Sequence, residues 1–134
     1  MPSPQEKLAD ALTALHQLQE RGRVAIRAGD LGDSRRRLLV RQGFLLEVMK
    51  GWYVARPPEG GDGESTAWYT TYWGFCADYL NERFGTDWSL SPELSIGLQT
   101  GNRTVPRQLL VRSPRGGNKP IPLPLVTSLL DARA

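Results

Sequence analysis

The residues of this 134-residue chain best suited to chemistry are cations, and they are concentrated in one place. Arg35, Arg36, Arg37 and Arg41 follow Ser34 within two turns of one helical stretch, with Lys50 and Arg56 close behind. A guanidinium fork pairs with the O6/N7 edge of guanine, and any Lys or Arg can neutralise a backbone phosphate. The chemistry on offer is binding of double-stranded DNA. The residues expected at that interface are Ser34, Arg35, Arg36, Arg37, Arg41, Lys50 and Arg56, the arginines at the groove and Lys50 and Arg56 at the backbone. At about 100° per residue, Arg37 and Arg41 share a side with Ser34, while Arg36 lies nearly opposite. Arg37 and Arg41 are therefore expected to matter most, and Arg35 and Arg36 to touch phosphates or nothing.

Catalysis has less to work with. His16 is the only histidine and lies off the apolar stripe of its helix, as a surface side chain does. Cys76 is the only cysteine, so neither an internal disulfide nor a zinc cluster is expected, and its aromatic surroundings mark it as inert packing. The stretch Gly60-Gly61-Asp62-Gly63-Glu64-Ser65 has the glycines of a phosphate loop but not the Gly-Lys-Ser/Thr ending, and its acids repel phosphate. Asp78, Glu82 and Asp87 are spaced as on a solvated face. No enzyme, metal or cofactor is expected.

The elements that must position the cations can be read in order. Ser3-Pro4-Gln5-Glu6 is a capped helix start, and Leu8, Ala11, Leu12, Leu15 and Leu18 form one apolar face up to Gly22. Arg23 to Ile26 suits a short strand and Ala28 to Leu31 a brief helix. Gly32-Asp33 makes the turn into a basic helix capped by Ser34 and stopped by Gly43. Phe44–Met49 and Trp52–Ala55 are expected to form a hairpin about a Lys50-Gly51 turn. Trp52 and Tyr53 must face opposite sides of their strand, so only one of them can enter the core while the other is left on the surface. Helix, short element, turn, helix, hairpin is the order of a winged helix-turn-helix, in which the second helix enters the major groove and the wing touches the backbone. Leu31, Leu38, Leu39, Phe44 and Leu45 are expected to close over Leu12 and Leu15.

Beyond residue 56 the composition changes. Arg56-Pro57-Pro58 ends the hairpin and a glycine-rich acidic linker follows. Thr66 is expected to cap a long helix ending at Gly85, whose Trp68, Tyr69, Tyr72, Trp73 and Tyr79 suit a core better than a base-stacking ladder. A short helix from Ser91 comes next. Thr104–Arg112 and Lys119–Leu125 are expected to pair as a hairpin about Arg115–Asn118, with Pro106 favouring an edge. From Val126 a further element begins and the sequence stops at Ala134, so this second lobe is expected to be truncated. The fold expected is α+β: a winged helix-turn-helix over 1–56, a linker over 57–65, and a small α+β lobe over 66–134.

Net charge is only +3, but it is blocked. Residues 21–56 carry +6, residues 57–100 carry −6 and residues 101–134 carry +5. The first block, dense in arginine, favours a nucleic acid over an ordinary solvated face. No apolar run approaches a membrane span and no signal-peptide pattern opens the chain, so a cytoplasmic protein without membrane contact is expected.

Residues 20–56 resemble the N-terminal winged helix of AbiEi-type (type IV) antitoxins. The resemblance lies in Arg21-Gly22-Arg23-Val24, Asp30-Leu31, Arg35 to Arg41, Gly43-Phe44-Leu45 and Gly51-Trp52-Tyr53, and it implies that Tyr53 enters the core and Trp52 stays on the surface. The chain as a whole resembles more closely the N-terminal region that precedes the catalytic domain in some bacterial Fic-family proteins. That likeness is carried by GFLLEVMKGWYVARPP, TYWGFCADYLNERFGTDWSLSPELSI, VPRQLLVRSPRGGN and TSLLD. The Fic loop of the His-Pro-Phe-x-x-Gly-Asn-Gly-Arg type has no counterpart, since His16 stands in Leu15-His16-Gln17. The resemblances imply a DNA-binding regulator or antitoxin that represses its own toxin–antitoxin or Fic operon, with a cognate toxin or a Fic catalytic domain as partner. The alternative is a protein-interaction or inhibitor module, of mobile-element origin, that reuses the winged-helix scaffold.

Overall fold

The computed structural model describes residues 3–56 and 64–133, and for residues 64–67 the backbone alone. The chain is α+β with two small sheets, and it divides into two compact units, Met1–Asp78 and Tyr79–Ala134. Residues 57–63, most of the expected linker, lie outside the described residues.

The first unit opens with α1 (Pro4–Glu20), whose Ser3 Oγ accepts the Glu6 N–H at 3.1 Å. Then come β1 (Ile26–Arg27), α2 (Ala28–Leu31), α3 (Asp33–Arg41), β2 (Leu45–Met49), β3 (Trp52–Ala55) and most of α4 (Glu64–Phe84). The short strand therefore lies a few residues later than expected. Ser34 is not the cap of α3: Gly32, at φ 83°, is the capping residue, and Ser34 lies one position inside the helix. Only glycine enters that left-handed region without strain, and it spares the serine for the surface. Thr66 likewise sits inside α4, which starts at Glu64.

The three strands form one antiparallel sheet in the order β1-β3-β2. Its middle strand is covered on both faces. Tyr53 enters the cluster of Ala11, Leu15, Ile26, Leu31, Leu39 and Leu45, against which Leu8, Leu12, Leu38 and Phe44 also pack. Trp52 points the other way and is half-buried rather than left on the surface, with its ring edge-on to Phe75 of α4 at 6.1 Å. Trp68 packs edge-on to Phe75 and Tyr72, so much of the aromatic stripe is core, while Tyr69 remains exposed. Cys76 is buried in the same stripe, and burial pushes its thiol up to about 12.

Helix α4 is held to the first unit by polar contacts as well. Asp78 Oδ2 accepts the backbone N–H groups of Val24 (2.7 Å) and Ala25 (2.9 Å), so Asp78 is not the solvated acid its spacing suggested. One turn earlier, Gly74 lets the chain approach so closely that a Cβ there would lie 2.8 Å from Val24 Cγ2.

The second unit contains the end of α4, α5 (Pro92–Gln99, capped by Ser91), β4 (Gln108–Ser113), β5 (Pro120–Leu123) and β6 (Thr127–Arg133). The expected β4–β5 hairpin is absent. The sheet order is β4-β6-β5, with β4 parallel and β5 antiparallel to β6. The prolines explain why β5 lies at an edge: Pro120, Pro122 and Pro124 remove every second N–H, leaving Ile121 and Leu123 to pair toward one side only. The loop between β4 and β5 lies on β6 instead of reversing beside β4. Gly116 approaches the Asp131 and Ala132 backbone so closely that a Cβ would meet it at 2.6 Å. Asn118 N–H donates to the Asp131 carbonyl at 2.9 Å. Asp131, almost fully buried, is ion-paired with Arg83.

Two outcomes are expected. Gly74→Ala forces Val24 to move and should lower stability by about 1–3 kcal/mol in chemical denaturation, whereas Gly29→Ala, with open space at its Cβ, should not. Cys76 should resist a thiol-disulfide reagent at pH 8 in the folded protein, because a buried group with a pKa near 12 is protonated there, and should react at once in denaturant.

Candidate nucleic-acid interface

The orientation of α3 is set by what it buries. Leu39 is fully buried and Leu38 half-buried, so the opposite side of the helix faces out. That side carries Ser34, Arg37 and Arg41, with Asp33 and Val40 at its edge, all exposed. The four arginines of the helix thus divide into two pairs with different surroundings.

Arg35 reaches α1. Its Nε donates to Asp10 Oδ2 at 2.8 Å and its Nη2 to Asp10 Oδ1 at 3.3 Å, a two-pronged pair on an exposed surface. Arg36 turns inward, toward the hairpin. Its Nη1 donates to the Tyr53 hydroxyl at 3.0 Å, and its guanidinium also contacts Asp33 and lies 5.7 Å from the Tyr53 ring centre. The Tyr53 hydroxyl in turn donates to Glu47 Oε2 at 3.1 Å. The hydrogen bond to Tyr53, and next that to Asp33, raise the pKa of Arg36 above its ordinary value. Neither Arg35 nor Arg36 is available to a groove without giving up these contacts.

Arg37 and Arg41 differ. Among the described residues neither has a carboxylate partner. Together with Ser34 they line an open cleft of about 600 Å³ between α3 and the start of α1, which Gln5, Lys7 and Gln42 also line. Lys7 was missed as a candidate. Its signal was its place beside Leu8, since the helix face that packs on Leu38 necessarily brings its neighbours along. Among the described residues no acid lines this cleft, which three cations, Lys7, Arg37 and Arg41, do line.

The remaining two candidates are not brought to this cluster. Lys50 is exposed on the β2–β3 turn, where Gly51 adopts φ 84° and its carbonyl accepts the Ala28 N–H at 3.0 Å. That end of the hairpin also holds Arg27, whose guanidinium lies 4.9 Å from the Trp52 ring centre. Arg56 is half-buried at the other end of the hairpin and lines a different cleft, with Leu15, His16 and Thr71. His16 itself is exposed and 3.0 Å from Glu20.

Among the described residues, no three His, Cys, Asp or Glu side chains gather as a metal site, and no helix is long and apolar enough to cross a membrane. Comparison with protein-family models, with curated proteins and with solved structures finds no match to this chain.

The Tyr53 contacts generate an expectation. Tyr53→Phe keeps the ring but removes the group that joins Arg36 to Glu47, leaving a half-buried guanidinium short of an acceptor. Thermal denaturation should show a loss of about 1–3 kcal/mol, while Arg37→Ala, on the outward face, should leave stability within about 0.5 kcal/mol of the parent.

Proposed function

We propose that the chain is a DNA-binding regulator in which residues 1–56 act as a winged helix-turn-helix, with α3 as the reading helix and β2–β3 as the wing. The observation that carries this is the pair Arg37 and Arg41, without a carboxylate among the described residues, beside Ser34 on the outward face of α3, with Lys7 alongside. Protein acids normally compensate surface arginines, and a face where they do not suits an anionic partner. Arg37 and Arg41 would read guanine edges, and Lys7 and Lys50 would meet phosphates on either side. Arg35 and Arg36 hold α3 in place. Arg56, at the far end of the hairpin, contributes least. Autorepression of an operon that also encodes a toxin or a Fic-type catalytic protein is the biological setting that the sequence resemblances suggest.

A second use of the chain as a protein-interaction module is favoured by one feature. The outer face of the second sheet aligns exposed Leu110, half-buried Leu130 and Pro120 in register across its three strands. This face and α3 can serve different partners, and the DNA assay separates the two roles.

The test is fluorescence anisotropy on the chain's own promoter fragment and on random duplex, at two salt concentrations. Arg37→Ala and Arg41→Ala should each cost about 1–3 kcal/mol on the specific fragment and relax the choice of one base. Lys50→Ala and Lys7→Ala should weaken all duplexes alike, and each should flatten the salt slope by about 0.9, the share of one neutralised phosphate. Absence of salt-dependent binding to either duplex would remove the DNA function and leave the interaction module.

A further inference from the structure

We propose that Val40 reads the 5-methyl group of thymine; this extends, and rests on, the DNA-binding function proposed above. Val40 is 40% exposed on a nine-residue helix. A single exposed aliphatic side chain is ordinary on a protein surface. The placement of this one is what matters. With Leu39 at the centre of the buried side and about 100° between successive residues, Arg37, Arg41 and Ser34 lie opposite it, and Asp33 and Val40 lie at the edge of that face, Val40 about one turn from Arg37. Helix stability does not ask for valine there, since its branched Cβ restricts the side chain and lowers helix propensity.

In the major groove the one apolar group on the base edges is the thymine methyl. An aliphatic side chain one turn from Arg37, on the flank of the two guanine-reading arginines, has that group as its natural contact. The rise from Arg37 to Val40 is about 4.5 Å along the helix axis, against a base-pair step of about 3.4 Å. A guanine under Arg37 and a thymine under Val40 would therefore lie one or two steps apart. The recognised sequence is then one in which a G·C pair and a T·A pair are near neighbours, with the methyl closing against Val40.

The test begins with selection of a binding site from random duplex by the whole chain. Each dT of that site is then replaced in turn by dU, which removes only the methyl. The parent chain should lose about fourfold in affinity at one position, the worth of one buried methyl group. Val40→Ala should bind the dT and dU forms of that position alike, with an unchanged melting temperature, whereas Arg37→Ala should keep the difference between them. A selected site with no thymine within two steps of a guanine overturns the role of Val40. So does equal binding of all dU forms by the parent, or a dU penalty that persists in Val40→Ala; in these cases the DNA function stands. Failure to bind any duplex overturns both.

Discussion

The Tyr53 hydroxyl is the group on which the arrangement of the first unit turns. A phenol buried to 4% exposure needs hydrogen-bond partners, because a polar group taken out of water and left unpaired costs more than most surface contacts return. Arg36 donates to it and Glu47 accepts from it. The chain of contacts joins α3 to the hairpin across the sheet face, and it does so only in one strand register. A slip by one residue would send Trp52 into the Leu15–Leu39 cluster and Tyr53 toward Phe75. The same contacts match the one rotation of α3 that its apolar burial sets, since Arg36 can meet Tyr53 only while Arg37 and Arg41 face outward.

Other forces act on that helix, and their sizes rank them. Burying Leu39 fully is worth about 1.5–3 kcal/mol, whereas an exposed pair such as Arg35–Asp10 contributes about 0.2–1 kcal/mol. Apolar burial therefore decides which side of α3 faces in, and the ion pair only trims its position against α1. On the other face of the sheet, Trp52 against Phe75 and the two N–H groups held by Asp78 fasten α4. The helix thereby supplies a second wall to a sheet too small to be stable alone.

How far this was legible in the sequence depends on whether the cause was local. The Ser3 cap, the stops at Gly22 and Gly43 and the Lys50-Gly51 turn are all written in neighbouring residues, and they appear where expected; alternation alone left open which of Trp52 and Tyr53 turns inward. What failed was set by distant partners. Asp78 looks like any solvated helix acid until Val24 and Ala25 are folded against it. Thr104–Arg112 and Lys119–Leu125 look like a hairpin because the turn residues between them are right. Only the close fit of Gly116 on the backbone of β6 makes that turn a loop across another strand. The prolines of β5 did hold the needed information, because Pro120 and Pro122, with Pro124 just beyond the strand, leave one edge with no donors. That demands an edge strand, but it does not name the strand on the other side.

The arginines show the same limit in a form that bears on function. Counting charge gives a +6 block over residues 21–56, and spacing shows that its four α3 arginines cannot share a face. Neither reveals that Asp10, Asp33 and Tyr53 occupy two of them, or that Lys7, from an otherwise acidic stretch, adds to the outward pair. Arginine suits both tasks for one reason: a planar fork of donors meets a carboxylate, a phenol or a guanine edge equally well. A basic helix can therefore spend half its charge on its own placement, and the surface left for a partner follows from packing rather than from composition.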